Sequence, residues 1–148
     1  NSIGIELVNK GHKFGYQKFT KIQIKNLISL CKKLKKKYKI KNNFILAHSD
    51  IAPIRKIDPG EKFPWKYLSI NGIGNYPKKI DIKNKYKKTQ NNGLFFKNLY
   101  KIGYRYLNSK YKTKIIKNFQ RKYRQKKING IIDFETLKLS QILSKSTN

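Results

Sequence analysis

"HSDIAPIRKIDPGEKFPW", residues 48 to 65, departs from the chain around it. The 148 residues include 36 Lys and Arg against seven Asp and Glu, yet Asp50, Asp58 and Glu61 fall within this stretch, beside one of only two histidines. Pro53, Pro59, Gly60 and Pro64 punctuate it too often for a helix or strand interior, so it reads as a long loop. The apolar run FILAH (44 to 48) in front of it is expected to be a short strand ending on His48. A polar loop leaving the end of a strand is a usual seat for chemistry.

Further upstream, IGIELV (Ile3 to Val8) is a β-branched run that predicts a second strand, with Glu6 inside it. Thr20 and Gln23 have the spacing of a capping box, with Phe19 and Ile24 placed for the hydrophobic staple, so a helix should begin there. Ile24, Leu27, Ile28, Cys31, Leu34 and Tyr38 then recur at three- and four-residue spacing, predicting one apolar stripe packed on the sheet. The expected fold class is α/β: a mixed β-sheet flanked by helices, filling residues 1–77. After a charged, Asn-rich linker at 78–92, helical patterns at Leu94 to Tyr106, Ile115 to Tyr123 and Phe134 to Leu143 predict a small three-helix domain over 93–148. Asp133 is the expected N-cap of the last helix, after an Asn129-Gly130 turn.

Composition narrows the function classes. Apolar content of 38% and aromatic content of 13% suffice for a core and exclude wholesale disorder. A net charge of +29 attracts polyanions, whether nucleic acid, anionic lipid or an anionic wall polymer. Charge does not choose among them, and runs such as KKLKKKYKIK (32 to 41) read equally well as solvated helix faces. Cys31, the only cysteine, excludes an internal disulfide and a cysteine-rich zinc site. No apolar run reaches the length of a membrane-spanning helix. The chain opens without methionine, directly in a strand-like segment, and reads as a fragment or a processed chain.

His48 and Asp58 lie ten residues apart across the proline-containing loop. If the loop folds back, an imidazole and a carboxylate converge as two ligands of a hydrolytic zinc site, which takes three protein ligands and a water. On spacing alone the plainer reading, a structural or exposed histidine, is the commoner one. Lys56 would project to the same side as Asp58 in an extended segment, where a cation can stabilise an oxyanion.

The literal string adds to this. HSDIAPIRKIDPGEKFPW resembles the H-[SCA]-D-I-A-P-x-R-K-x-D-P-G-x-x-F-x-W segment of the zinc N-acetylmuramoyl-L-alanine amidases of the amidase-2 family, and NSIGIELV (1 to 8) is similar to that family's S-I-G-I-E segment. The resemblance covers residues 1 to about 77. It implies that His48 and Asp58 ligate Zn2+, that Glu6 holds and deprotonates the attacking water, and that Lys56 stabilises the tetrahedral oxyanion. It implies a third zinc ligand, a histidine on an earlier strand ahead of Asn1, so the chain is expected to be an N-terminally truncated and incomplete enzyme. Arg55 either anchors an acidic group of the stem peptide or braces the loop; His12 is read as groove-lining or exposed, and Trp65 as core or groove-lining. Asp50 is read first as a loop residue hydrogen-bonded to backbone amides, and second as a catalytic group. Ile54 stands where the family often has Gly.

NLYKIGYRY (98 to 106), FQRKYRQ (119 to 125) and NGIIDFETLKL (129 to 139) resemble three-helix peptidoglycan-binding domains. The alternative is a bundle that only stabilises the first unit. The expected substrate is peptidoglycan or a muropeptide, handled by a monomer with no specific nucleic-acid partner. The expected location is the periplasm or cell envelope, with an outer-membrane lipoprotein as one form of it and the cytoplasm as the alternative. The competing function is a non-catalytic peptidoglycan-binding module that lacks the complete zinc site.

Overall fold

The computed structural model describes residues 2–77, 91–107 and 110–146. Most of the expected linker, residues 78–90, lies outside the described residues. Among the described residues six α-helices follow one another: α1 (Lys21–Tyr38), α2 (His48–Ile51), α3 (Trp65–Ile70), α4 (Asn92–Ile102), α5 (Lys112–Tyr123) and α6 (Phe134–Lys145), with single 3-10 turns at His12–Phe14 and Asn42–Phe44.

The ends of α1 and α6 follow from local chemistry. The Thr20 hydroxyl accepts from the Gln23 amide at 3.2 Å while the Gln23 side chain accepts from the Thr20 amide at 2.9 Å, satisfying two donors left open at the helix start. The Asp133 carboxylate caps α6 by accepting from the Thr136 amide at 3.0 Å. Helix α4 stops earlier than the pattern predicted, because Gly103 takes a left-handed φ of 112° and returns its amide to Leu99 and Tyr100.

The expected mixed sheet is absent among the described residues. Ile3 to Val8 forms no strand, and Ile3, Ile5 and Val8 are all exposed, Val8 at 89%. Residues 44 to 48 are not a strand either: a 3-10 turn ends at Phe44 and α2 begins at His48. A β-branched run favours extended backbone, but a strand exists only where a neighbour supplies the ladder. At His48 a local interaction wins instead, since the Asp50 carboxylate accepts from the Ala47 amide at 2.9 Å and closes a helical turn.

Two apolar clusters form the interior. In the first, the α1 stripe of Ile24, Leu27, Ile28 and Cys31 packs with Phe63, Trp65, Leu68 and Ile73, so the loop and α3 take the place assigned to a sheet. Tyr38, at the far end of that stripe, is exposed. In the second, Phe95 and Leu99 of α4, Ile115 and Phe119 of α5, and Leu139 and Leu143 of α6 interdigitate. Tyr76 packs against both clusters, and its hydroxyl donates to the Tyr123 carbonyl at 3.3 Å.

Polar groups buried inside the second unit are satisfied from several sides, as burial demands. Gln120 accepts from the Asn129 and Gly130 amides at 3.0 and 2.8 Å and donates to the Ile131 carbonyl at 2.9 Å. The Arg124 guanidinium donates to Asp133 at 2.5 Å and to Glu135 at 2.9 Å. Gly130 sits at φ 77°, and a Cβ there would lie 2.7 Å from the Thr113 methyl, so the turn needs glycine.

Candidate functional site

Helix α2 and the following loop carry most of the chemistry-bearing side chains. His48 opens α2; the chain then turns through Ala52 to Asp58, with the Arg55 and Lys56 amides both donating to the Ala52 carbonyl at 3.1 and 3.0 Å. The Ser49 amide donates to the Asp58 carbonyl at 3.2 Å, which returns the end of the loop to the start of the helix. Across this closure the His48 Nδ1 and an Asp58 carboxylate oxygen meet at 2.5 Å. The segment from Ile3 to Val8 brings a Glu6 oxygen to 3.8 Å from the other ring nitrogen of His48, Nε2. One imidazole therefore stands between two carboxylates. All three side chains face solvent, Glu6 at 85% exposed, His48 at 45% and Asp58 at 50%.

Lys56 is half-buried two residues before Asp58, and Arg55 is exposed beside it. A cavity of about 220 Å³ lined by Leu46, Ile51, Ile102 and Tyr104 lies elsewhere, and none of Glu6, His48, Lys56 or Asp58 lines it. The exposure of Glu6, His48 and Asp58 makes the constellation open to solvent.

The other residues singled out in the sequence take definite places. His12 Nε2 contacts both Glu61 oxygens, at 3.0 and 3.2 Å, and its ring stacks on Tyr16. Trp65 is 5% exposed inside the first core, edge-on to Phe63. The Tyr16 hydroxyl donates to the Pro59 carbonyl at 2.6 Å and accepts from the Lys62 amide at 2.9 Å, tying the far end of the loop down. Burial, together with the nearby Glu61 charge, pushes the Tyr16 phenol up to about 12. The Glu61 carboxyl is opposed by burial, but its bonds to His12 and the Arg121 guanidinium at 3.6 Å hold it below the ordinary range.

Asp50 accepts from a backbone amide, and it does more. Its carboxylate is buried against the Lys122 ammonium of α5 and accepts from the Tyr104 hydroxyl at 2.7 Å. Lys122 also lies 4.3 Å from the centre of the Trp65 ring. Burial would lower the Lys122 ammonium, but Asp50 outweighs it and raises the group above its ordinary value. The three clustered carboxylates therefore each have a partner: Asp50 with Lys122, Asp58 with His48, and Glu61 with His12 and Arg121.

The contribution of α5 and of the residues just past it was not foreseen from the sequence. Asn118 of α5 donates to the Pro53 and Lys56 carbonyls at 2.9 and 2.8 Å, Lys122 of α5 pairs with Asp50, and Gln125, two residues past the end of α5, donates to the Phe63 carbonyl at 2.8 Å. The four-residue spacing of Asn118 and Lys122, which puts both on one face of the helix, was the available signal.

Residues 1–61 match the N-acetylmuramoyl-L-alanine amidase family, Amidase_2. The chain is 46% identical over 81 residues to the N-acetylmuramoyl-L-alanine amidase AmiD of Escherichia coli, covering 51% of this chain and 29% of that protein. It is 44% identical over 70 residues to the 1,6-anhydro-N-acetylmuramyl-L-alanine amidase AmpD of Haemophilus influenzae, covering 46% of this chain and 36% of that protein. It therefore spans about a third of the length of these curated relatives. A solved complex of E. coli AmiD with the substrate anhydro-N-acetylmuramic acid-L-Ala-D-gamma-Glu-L-Lys aligns with a TM-score of 0.80 at 30% identity, over 89% of this chain and 55% of that one. That coverage takes the structural likeness beyond residue 61 and into the C-terminal helices.

Whether the residues present fit a zinc ion depends on their kind and number. His48 and Asp58 offer an imidazole nitrogen and a carboxylate oxygen already in contact, which are donors zinc accepts. No group of three or more His, Cys, Asp or Glu is placed to hold a metal ion among the described residues. The pair thus fits in chemistry and supplies two of the three protein donors of a hydrolytic site.

Proposed function

We propose that this chain carries the Glu6, His48, Lys56 and Asp58 part of a zinc-dependent amidase that cleaves the bond between N-acetylmuramic acid and L-alanine in peptidoglycan or muropeptides. The observation that carries the reading is the convergence of Glu6, His48 and Asp58, from segments up to 52 residues apart, within the 61 residues similar to the amidase family. His48 and Asp58 would hold the metal, which when bound polarises the scissile carbonyl and brings the pKa of its water towards ~7.

Each remaining role belongs to a side chain at the surface. Glu6, exposed and facing the outer nitrogen of His48, takes the proton of the attacking water and returns it to the departing L-alanine nitrogen. Lys56, two residues before Asp58 in the chain, would offer its ammonium to the oxyanion of the tetrahedral intermediate. Arg55, exposed on the same turn, would meet a stem-peptide carboxylate. Helices α4 to α6 are proposed as the wall-binding unit, in a monomer at the cell envelope, where a net charge of +29 favours retention on an anionic polymer.

A second reading has its own support. Among the described residues no group of three or more His, Cys, Asp or Glu is placed to hold a metal ion, which suits a peptidoglycan-binding module without turnover. Digestion of purified muropeptides with and without a chelator, followed by mass spectrometry, separates the two. Stem peptides starting at L-alanine, lost on chelation, restored by zinc and absent with Glu6→Gln although zinc still binds, support the amidase. Intact muropeptides under every condition, with the protein still pelleting on cell walls, support the binding module.

A further inference from the structure

The Asn118 side chain is 1% exposed in α5, yet its two hydrogen-bond acceptors belong to the loop between His48 and Asp58. Its amide nitrogen has two hydrogens, and it donates to the Pro53 carbonyl at 2.9 Å and to the Lys56 carbonyl at 2.8 Å. Its oxygen accepts from Arg121 at 3.0 Å, which sets the amide so that the nitrogen faces the loop. The Lys56 amide donates to the Ala52 carbonyl at 3.0 Å, so the residue is held at both its amide and its carbonyl.

We infer that Asn118 is a positioning residue, and that α5 of the C-terminal unit sets the conformation of the turn presenting Lys56 and Asp58. The inference rests on the proposed roles of those two residues. A carboxamide is the side chain that can supply two donors from one atom at this reach. An aspartate of the same shape would turn acceptor oxygens onto two carbonyls, and a leucine would leave both carbonyls, the Pro53 one buried, without this donor. Lys122 of the same helix pairs with Asp50, and Gln125, just past the end of the helix, donates to the Phe63 carbonyl, so α5 carries the amide on a fixed base. The C-terminal helices are thus part of the site's scaffold, whatever wall polymer they also bind.

The test reads the loop directly. In the unsubstituted chain the Asn118 carboxamide protons should exchange slowly with solvent, and an NMR signal exchanging at the free-amide rate would overturn the inference. In Asn118→Leu and Asn118→Asp, amide exchange at Arg55, Lys56 and Ser49 should rise at least tenfold while α1 and α6 keep their protection. A rise spread evenly over all helices, or none at the loop, would overturn it. Zinc affinity, read by competition with a chromophoric chelator, should fall about 10- to 100-fold in both variants, the usual effect of removing a group that orients ligands. Failure of the unsubstituted chain to bind zinc counts against the amidase reading alone, because the exchange experiment needs no metal.

Discussion

Removing one charge from the interior gives the sharpest test of how the two units are joined. Lys122 and Asp50 are each about 5% exposed at the side chain, and the carboxylate's other partners are the Tyr104 hydroxyl and the Ala47 amide. Lys122→Met keeps the length of the side chain but strands the Asp50 charge. Breaking a buried pair from one side costs about 3–5 kcal/mol, because the remaining charge stays desolvated. At roughly 2 cal/mol/K of unfolding entropy per residue, a chain of 148 residues converts that into a Tm loss of about 10–16 °C. Adding Asp50→Asn removes the stranded charge while keeping an acceptor for Tyr104, so the double variant should regain most of the loss. Calorimetry of the three proteins at pH 7 is the assay. A Tm within about 3 °C of the parent, or a deficit indifferent to Asp50→Asn, would refute the argument.

Three further outcomes are expected. Burial raises the phenols of Tyr104, Tyr16 and Tyr123, the last two to about 12, and Asp50 raises Lys122; the fold then retains protons that the unfolded chain releases from an ordinary 10.0 to 10.5, so urea midpoints should hold up to about pH 10 and fall steadily towards pH 12. Gln120→Ala strands the Asn129 and Gly130 amides and the Ile131 carbonyl, and denaturant titration should show a loss of about 3 kcal/mol. Thr20→Ala breaks the capping box at the start of α1 and should cost about 1 kcal/mol by the same titration, without changing exchange at Lys56.

What the sequence determined by itself was local. The capping box at Thr20, the Ile24 to Cys31 part of the α1 stripe and the Asp133 cap depend on residues within one or two helical turns, and these are found where the spacing puts them. The string from His48 to Trp65 marked the candidate site for the same reason: its ligand types and breakers lie close together in the chain. The sheet was misread because alternation and β-branching report a preference for extended backbone, while pairing depends on a neighbour that a short window does not contain. Only the tertiary structure decided that Glu6 comes within 3.8 Å of His48, that Asp50 is neutralised by a lysine 72 residues away, and that the Lys56 carbonyl is held from α5 by Asn118. Such contacts leave no periodic trace in the chain, because the energy of a buried charge or carbonyl is set by whatever the fold brings against it.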